Sequence, residues 1–332
     1  MTYETSIQGT NKHAESGVVA EGLGKCFDGL WALRDIDLDV PAGSVLGLLG
    51  HNGAGKTTAV RIFTTLAAPT TGSARVAGFD VVADAPQVRA RVGLAGQQAT
   101  VDDLLTARAN LELVGRLYHL PRPLVRARAD ELLERLGLAH VADRLARTFS
   151  GGMRRRLDLA ASLVASPPVL LLDEPTTGLD PHGRAELWAL LREQVDAGAT
   201  LVLTTQYLEE ADRLADRIVV LDHGRIAASG SSRELKARIG GERIAVTLGS
   251  RDDLAAAEQA LAAFADGPSS VDIGVAEVTT PVRPGTRLVE VVRALDASGI
   301  DATEVQRRDA TLEDVFVILT RTDEPTRTEV AA

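Results

Sequence analysis

Nine consecutive residues, 50–58, constrain this 332-residue chain more than any other feature, because they read Gly-His-Asn-Gly-Ala-Gly-Lys-Thr-Thr. The run fits the pattern in which a glycine-rich loop surrounds a phosphate group with backbone N–H groups. An apolar segment of buried-strand type precedes it at 44–49, and residues 58–63 open a helix whose N-terminal dipole favours an anion. The strand, loop and helix together predict an α/β P-loop nucleotide-binding fold rather than a chance glycine-rich turn.

The loop supplies the first candidate site residues. Lys56 would place a positive charge on the β- and γ-phosphates, and the Thr57 hydroxyl is a candidate ligand for Mg²⁺. The candidate nucleotide-binding residues of the loop are Gly50, His51, Asn52, Gly53, Ala54, Gly55, Lys56, Thr57 and Thr58.

A second run, residues 169–174, reads as a buried apolar strand that ends in two carboxylates. Asp173 is expected to hold the Mg²⁺ of the loop, directly or through water. Glu174 is expected to take a proton from an attacking water as a general base. The alternative is a strand that ends in a solvated acidic turn, but the glycine-rich loop earlier in the chain favours the catalytic interpretation.

A third signal is the sequence Ser150, Gly151 and Gly152 before a helical run. These residues are typical of an anion site at a helix N-terminus, although in isolation they favour a simple capped helix start. The three arginines at 154–156 are interpreted as a solvated helix face, with a phosphate or partner contact as the alternative.

Composition narrows the function classes. The net charge of −10 argues against nucleic acid as the main partner, and the single cysteine, Cys26, excludes an internal disulfide. No signal peptide is visible, and no apolar run approaches the roughly 18 residues that span a bilayer. The sequence therefore predicts a chain that does not cross a membrane by itself, which leaves docking on one open.

The order and spacing of the three motifs resemble the nucleotide-binding domain of ABC transporters, over roughly residues 17–238. In that family the Ser-Gly-Gly segment belongs to the signature motif, which reads Phe-Ser-Gly-Gly-Met at 149–153 here. The resemblance implies that Phe27 stacks on adenine and that Asp180 belongs to the D-loop. It also implies that Gln97 senses the γ-phosphate side and the membrane partner and is a ligand of Mg²⁺. Phe27 as a core aromatic and Gln97 as an ordinary loop residue are the alternatives.

The resemblance also implies a mechanism, and the shifts in composition along the chain predict a domain organisation. Two copies would face head to tail around two ATP molecules, and Ser150, Gly151 and Gly152 of one copy would cover the γ-phosphate held by the other. The expected organisation is a disordered tail at 1–16, an ATPase domain at 17–238 with an inserted helical subdomain at about 103–165, a small α+β accessory domain at 240–321 and a tail at 322–332. In the accessory domain we expect strands at 243–248, 271–278 and 303–307, and helices at 254–264, 288–295 and 312–319.

One residue departs from the family pattern. The family usually has a histidine after Thr-Thr in the switch loop, where this chain has Gln206. The amide can donate a hydrogen bond to phosphate but carries no charge. Gln206 is therefore a candidate catalytic residue beside Lys56 and Glu174, and the departure bears on the rate of hydrolysis rather than on the fold.

Within the family the chain looks most like the daunorubicin-resistance type of antibiotic exporter. The segments that carry this resemblance are 95–102, 149–160, 204–207 and 312–316. This implies an ATP-hydrolysing subunit, peripheral on the cytoplasmic face of the cell membrane, that powers export of an antibiotic or other hydrophobic drug through a separate multi-spanning membrane subunit. Alternatives are a soluble ABC-type ATPase that acts on nucleic acid or the ribosome, and a regulatory module that binds ATP without turnover.

Overall fold

The computed structural model describes residues 16–96, 100–239 and 242–321 of the chain. Its contacts divide the chain into two compact units, Met1–Ser229 and Gly230–Ala332. The residues outside this description include Gln97, the tail at 322–332 and the expected N-terminal tail apart from Ser16. Ser16 itself already belongs to the first strand.

The first unit alternates strands and helices, and the two buried strands predicted within 44–49 and 169–174 are present. Its elements are β1 (Ser16–Phe27), β2 (Leu30–Pro41), β3 (Val45–Leu49), α1 (Lys56–Phe63), β4 (Thr71–Val76), β5 (Phe79–Asp80), α2 (Ala85–Arg89), β6 (Val92–Ala95), α3 (Ala107–Leu117), α4 (Arg122–Arg135), α5 (Gly151–Leu163), β7 (Val169–Asp173), α6 (Pro181–Asp196), β8 (Thr200–Thr205), α7 (Leu208–Leu214), β9 (Arg217–Asp222) and β10 (Arg225–Gly230).

A six-stranded sheet in the order β10-β9-β3-β8-β7-β6 forms the centre of this unit. The pairings of β3 with β8 and β9, and of β7 with β6 and β8, are parallel. Because parallel strands end at the same edge, the loops that follow β3, β7 and β8 meet there. This edge brings the glycine-rich loop, the carboxylates and Gln206 into one region.

Both faces of the central sheet are covered, which explains why its strands read as continuous apolar runs. Along β7, Leu170 and Leu172 pack into a core formed with α3 to α6, whereas Leu171 packs into a second core with α1. The second core is closed by an antiparallel sheet in the order β2-β1-β4-β5. Every residue of β3 and β7 is buried as a result.

Helices joined by loops and turns make up most of the described residues between β6 and β7, with α3, α4 and α5 as the main elements. Thr106 caps α3 by accepting a hydrogen bond from the N–H of Ala109. The helices contact one another and also pack on the central sheet through α5 and β6. The predicted change from strands to helices in this stretch is therefore present.

The second unit is a small α+β fold. Its elements are α8 (Ser232–Arg238), β11 (Arg243–Leu248), α9 (Leu254–Leu261), β12 (Ser270–Asp272), β13 (Glu277–Pro281), α10 (Leu288–Ala297), β14 (Ala302–Arg308) and α11 (Leu312–Arg321). The strands form an antiparallel sheet in the order β12-β13-β11-β14.

Two features of this unit differ from the sequence prediction. The single strand expected at 271–278 is a hairpin, because Asp272 accepts a 2.7 Å hydrogen bond from the N–H of Gly274 and turns the chain between β12 and β13. The helix α8, which the sequence did not predict, packs against α11. The division between the units therefore falls before α8, whereas the sequence placed the boundary after it.

A buried ion pair fixes the last helix to the sheet of the second unit. Arg243 on β11 and Asp314 on α11 are 1% and 4% exposed, and their charged atoms lie 3.6 Å apart. Leu312 and Val315 on the same helix are buried, as expected for the apolar face predicted there.

Within the described residues, no helix is both long enough and apolar enough to span a membrane.

Candidate functional site

The glycine-rich loop between β3 and α1 has a backbone that only glycine permits at two points. Gly55 has a φ of 108°, and a Cβ there would lie 2.5 Å from the carbonyl oxygen of Ala32. A Cβ on Gly50 would lie equally close to the carbonyl oxygen of Leu221. The loop is thus packed against the neighbouring strands in a fixed conformation, which is how a phosphate cradle is pre-formed.

Lys56 is the first residue of α1, and its side chain turns back into the loop. Its ammonium group donates hydrogen bonds to the carbonyl oxygens of Gly50 at 2.7 Å and His51 at 3.1 Å. Burial lowers the pKa of Lys56, while the charges of Glu174 and Asp173 oppose that shift. The loop therefore encloses a cation beside two carboxylates.

Asp173 and Glu174 mark the end of β7. Asp173 is 2% exposed, and its carboxylate accepts a hydrogen bond from the hydroxyl of Thr204 on β8. Glu174 has a φ of 52°, a left-handed conformation that is uncommon for a residue with a side chain. Its N–H donates a 3.0 Å hydrogen bond to the carbonyl of Thr204, which holds this turn in place. Such locally strained backbone is found where a side chain must be aimed.

One cavity of about 1030 Å³ brings most of the predicted residues together. It is lined by the glycine-rich loop, Glu174, Gln206 and the start of α5, and its full lining is Ala32, Asn52, Gly53, Gly55, Lys56, Thr57, Thr58, Gly151, Gly152, Arg154, Arg155, Glu174, Thr177, Gly178 and Gln206. The volume is at the upper end of the range for small-molecule sites and suits a nucleotide.

Ser150 has the capping role that was the alternative for the Ser-Gly-Gly segment. Its hydroxyl accepts a hydrogen bond from the N–H of Met153 at 3.3 Å and so begins α5. The cap leaves Gly151 and Gly152 on the cavity wall, so the two interpretations describe the same helix start. Asp180 likewise caps α6, accepting a 2.7 Å hydrogen bond from the N–H of Gly183.

Gln206 follows β8 and is exposed at the cavity. The backbone on either side is held because the Thr205 hydroxyl accepts a 2.8 Å hydrogen bond from the N–H of Tyr207. The guanidinium of Arg184 lies 4.4 Å from the centre of the Tyr207 ring, which adds a cation–π contact. The amide of Gln206 is therefore presented from a supported turn.

Phe27 ends β1 with its side chain 45% exposed, so the alternative that it is a core aromatic is wrong. The Lys25 ammonium lies 4.9 Å from the centre of its ring. The neighbouring strand β2 contributes Ala32 to the cavity wall.

The interpretation of residues 154–156 as a solvated helix face is wrong for Arg155, which is only 9% exposed. Arg155 donates to the carbonyl oxygens of Asp173 and Glu174 at 2.7 Å each and to that of Pro175 at 3.0 Å. It also donates to the carbonyl oxygen of Gly96, directly before the undescribed Gln97. The guanidinium thus joins α5 to the end of β7 and to the end of β6.

Asp158, one turn along α5, is fully buried. It accepts hydrogen bonds of 2.7 Å from the N–H and from the hydroxyl of Thr100, and it lies 3.9 Å from Arg155. Burial raises the pKa of Asp158, and the hydrogen bonds from Thr100 and the charge of Arg155 oppose the shift. Residues on either side of 97–99 are therefore both attached to α5.

Glu210 is a further buried carboxyl group near the site. It lies on α7, is fully buried, and accepts a 3.2 Å hydrogen bond from the indole N–H of Trp188 on α6. Burial raises the pKa of Glu210, against hydrogen bonds from Thr205, Trp188 and Thr176. This carboxyl group connects the helix after Gln206 with the helix after Asp180.

Sequence reasoning missed all three of these residues, although one signal was available for Asp158. It is the one charged residue in the run from Leu157 to Val164, and every residue of that run is buried. A charged residue in such a helix has to be buried with partners. No comparable pattern distinguishes Arg155 from the arginines beside it.

The donor set fits Mg²⁺, which prefers carboxylate and hydroxyl oxygens. The buried carboxylate of Asp173 and the hydroxyl of Thr57 stand at the ends of neighbouring elements, next to the cationic Lys56. A metal bound here would neutralise phosphate charge as the bond to the γ-phosphate breaks.

Comparisons with known proteins agree with this arrangement. A family model described as ABC transporter matches residues 33–177. A daunorubicin resistance ATP-binding protein of Streptomyces coeruleorubidus is 50% identical over 311 residues, which cover 93% of this chain and 98% of that protein. A daunorubicin/doxorubicin resistance ATP-binding protein of Streptomyces peucetius is 42% identical over 93% of this chain and 94% of its own length.

Among solved structures, a dimeric ATP-binding cassette in a post-hydrolysis state with ADP and phosphate is 26% identical, with a TM-score of 0.60. The likeness covers 64% of this chain and 98% of that one.

Proposed function

This chain belongs to the ABC transporter family as one of its ATP-binding, ATP-hydrolysing proteins, and we propose that it powers export of an antibiotic or other hydrophobic drug. The observation that carries this proposal is the convergence of Lys56, Glu174 and Gln206 on one cavity at the end of a parallel sheet. The drug class is taken from the relatives, whose names specify daunorubicin and doxorubicin resistance.

The residues at the cavity suggest how a phosphate bond is broken there. The loop N–H groups and the Lys56 ammonium bind the β- and γ-phosphates, and Glu174 accepts a proton from the attacking water. Gln206 donates a hydrogen bond to the γ-phosphate and so aligns the water. Among the described residues, Thr57 and Asp173 would hold Mg²⁺. Gln97 is proposed as a further ligand of the same ion. Phe27 offers an exposed ring on which adenine can stack.

The active unit of this proposal is a head-to-tail dimer. The chain has one glycine-rich loop and one Ser-Gly-Gly segment. Gly151 and Gly152 border the cavity of their own chain, and in the dimer that the family resemblance implies, Ser150, Gly151 and Gly152 of each copy cover the ATP held by the other. A solved relative with the same fold is dimeric. An isologous two-fold contact satisfies this requirement in both halves at once.

A separate membrane subunit completes the proposal. The described chain holds no helix able to span a bilayer, so a path for the drug has to be provided by another protein. We place the chain on the cytoplasmic face of the membrane, as a peripheral subunit, because ATP is supplied there.

Action on nucleic acid is the less favoured alternative. Residues 241–332 hold 9 arginines and 17 acidic residues and no lysine, a net charge of −8 that phosphate backbones repel. The names of the two relatives refer to drug resistance and not to action on nucleic acid.

The test combines enzyme activity with efflux. The chain is produced together with a candidate multi-spanning membrane subunit from the same organism, and daunorubicin fluorescence is followed in cells that express both. Parent cells should extrude the dye and the purified protein should hydrolyse ATP, and Lys56→Ala should abolish both. Lys236→Ala, in the second unit, is the matched control. ATP hydrolysis without efflux of any drug tested would contradict the export role, and ATP binding without turnover would favour a regulatory module.

A further inference from the structure

We propose that His51, Asp222 and His223 form a binding site for a divalent transition-metal ion, with Zn²⁺ as the representative ligand. His51 belongs to the glycine-rich loop, Asp222 ends β9, and His223 lies in the turn to β10. The donors are separate from Thr57 and Asp173. Two imidazoles and a carboxylate favour Zn²⁺, Co²⁺ or Ni²⁺, whereas Mg²⁺ prefers oxygen donors alone.

The three side chains converge on a single point. His51 Nε2 lies 3.0 Å and His223 Nε2 lies 4.0 Å from Oδ1 of Asp222, and one ligand atom from each residue lies within 4.8 Å of the others. Ligand atoms that share a tetrahedral Zn²⁺ at bond lengths near 2.1 Å stand about 3.4 Å apart. Only His223 has to close in, and its side chain is 76% exposed and therefore free to turn.

The hydrogen bonds of His51 supply the main argument. Its Nδ1 lies 2.7 Å from the carbonyl oxygen of Asn52, and its Nε2 lies 3.0 Å from the Asp222 carboxylate. Both neighbours are acceptors, but a neutral imidazole has one N–H. Donation from Nδ1 to the carbonyl leaves the Nε2 lone pair facing a carboxylate oxygen, which is the arrangement that orients metal-binding histidines.

A cation resolves this opposition of two acceptors. A metal ion between Nε2 and Oδ1 would be ligated by both, while a proton on Nε2 would make His51 an imidazolium. His223 favours the metal ion over the proton. It offers a third ligand to a metal, whereas a proton between Nε2 and Oδ1 would involve only those two atoms. The ring centres of His51 and His223 are 5.2 Å apart and inclined at 60°, so both rings approach the same carboxylate.

Asp222 is suited to the central position. Its side chain is 8% exposed, and a buried carboxylate requires a charged or hydrogen-bonding partner. The adjoining turn is already attached to the loop, since the N–H of Gly224 donates a 3.2 Å hydrogen bond to the carbonyl of Ala54. A bound ion would add a second connection between this turn and the glycine-rich loop.

The experiment uses the untagged full-length protein without nucleotide, so its result does not depend on the proposed function. Zn²⁺ binding is measured by titration calorimetry in excess Mg²⁺, and Co²⁺ is added as a spectroscopic probe of nitrogen ligation. His223→Asn removes one donor and tolerates the φ of 44° at this position, since asparagine accepts left-handed backbone. The control is His182→Asn, an exposed histidine whose Nε2 lies 3.2 Å from one carboxylate, on Glu186.

The proposal predicts one Zn²⁺ per chain for the parent, an affinity reduced at least about tenfold in His223→Asn, and no change in His182→Asn. The Co²⁺ spectrum of the parent should show nitrogen ligation that His223→Asn loses. Equal affinity in the parent and His223→Asn would overturn the proposal. No binding of Zn²⁺ by the parent would also overturn it.

Discussion

The guanidinium of Arg155 donates a 2.7 Å hydrogen bond to the main-chain carbonyl of Glu174. The donor lies on the helix that Ser150 begins, and the acceptor belongs to the residue proposed as the general base. Arg155 also donates to the carbonyl of Asp173, so one guanidinium connects the helix to the backbone of both carboxylate residues. A contact between a nucleotide and the start of α5 would therefore be transmitted directly to the hydrolytic end of β7.

Arg155→Lys should lower kcat for ATP at least about tenfold with little change in KM. Lysine keeps the positive charge but cannot reach several carbonyl oxygens at once, so Glu174 would lose its fixed orientation rather than its charge. Steady-state kinetics and a thermal unfolding curve separate this effect from misfolding. The control is Arg116→Lys, at an exposed ion pair with Glu112 on α3, which should leave kcat and KM unchanged. A KM increase at constant kcat would argue against a positioning role.

Glu210→Gln should change how stability depends on pH. Burial raises the pKa of Glu210 in the folded protein above its ordinary value of 4.5. The protonated form therefore stabilises the fold below that value, and this contribution is lost as pH rises through the raised pKa. Glutamine is neutral throughout, so the unfolding free energy of the variant should rise relative to the parent as the pH increases above about 4.5 towards the raised pKa.

Urea denaturation at several pH values measures this difference. Glu209→Gln, at the exposed neighbouring position, is the control. Parallel stability curves for Glu210→Gln and the parent would mean that Glu210 is ionised in the folded protein over the whole range.

Gln206→Ala should lower kcat about tenfold or more, the scale of a lost transition-state hydrogen bond of about 1.4 kcal/mol. Gln206→His should stay active and should acquire a pH dependence between about pH 5 and pH 8 that the parent lacks, because histidine titrates there. Rates are compared under saturating Mg-ATP for parent and both variants. If Gln206→Ala matches the parent at every pH, another residue aligns the γ-phosphate.

A chain that ends after Gly230 should bind ATP and be at least as stable as one that ends after Arg238. The shorter chain keeps β10, while the longer one keeps α8 without α11, against which it packs. Leu235 on α8 is fully buried in the intact protein and would then be exposed to water. Thermal unfolding and nucleotide titration of both chains test this, and failure of the shorter chain to bind ATP would show that the units are interdependent.

The motifs and most elements of this fold could be predicted from the sequence because their signals are local. The glycines at 50 and 55 are required by close backbone approaches, and the apolar runs of β3 and β7 report burial on both faces. The hairpin of β12 and β13 was read as one strand because the turn depends on the side chain of Asp272.

The supporting contacts of the site could not be predicted, because they join distant parts of the chain. Arg155 reaches the carbonyls of residues 96 and 173–175, and nothing in its neighbouring residues indicates those partners. Glu210 meets Trp188 only because α6 and α7 pack together. Such partners are set by tertiary structure and not by sequence spacing.

Glu174→Gln provides the most direct test of ATP hydrolysis by a head-to-tail dimer. The amide keeps the shape of the side chain but cannot take a proton from water, so the variant should bind ATP and stop before hydrolysis. Size-exclusion chromatography with light scattering, in Mg-ATP, should then show a dimer that persists for the variant and that returns to monomer when ATP is replaced by ADP. A variant that stays monomeric in Mg-ATP and turns over at the parent rate would contradict both the role of Glu174 and the dimer.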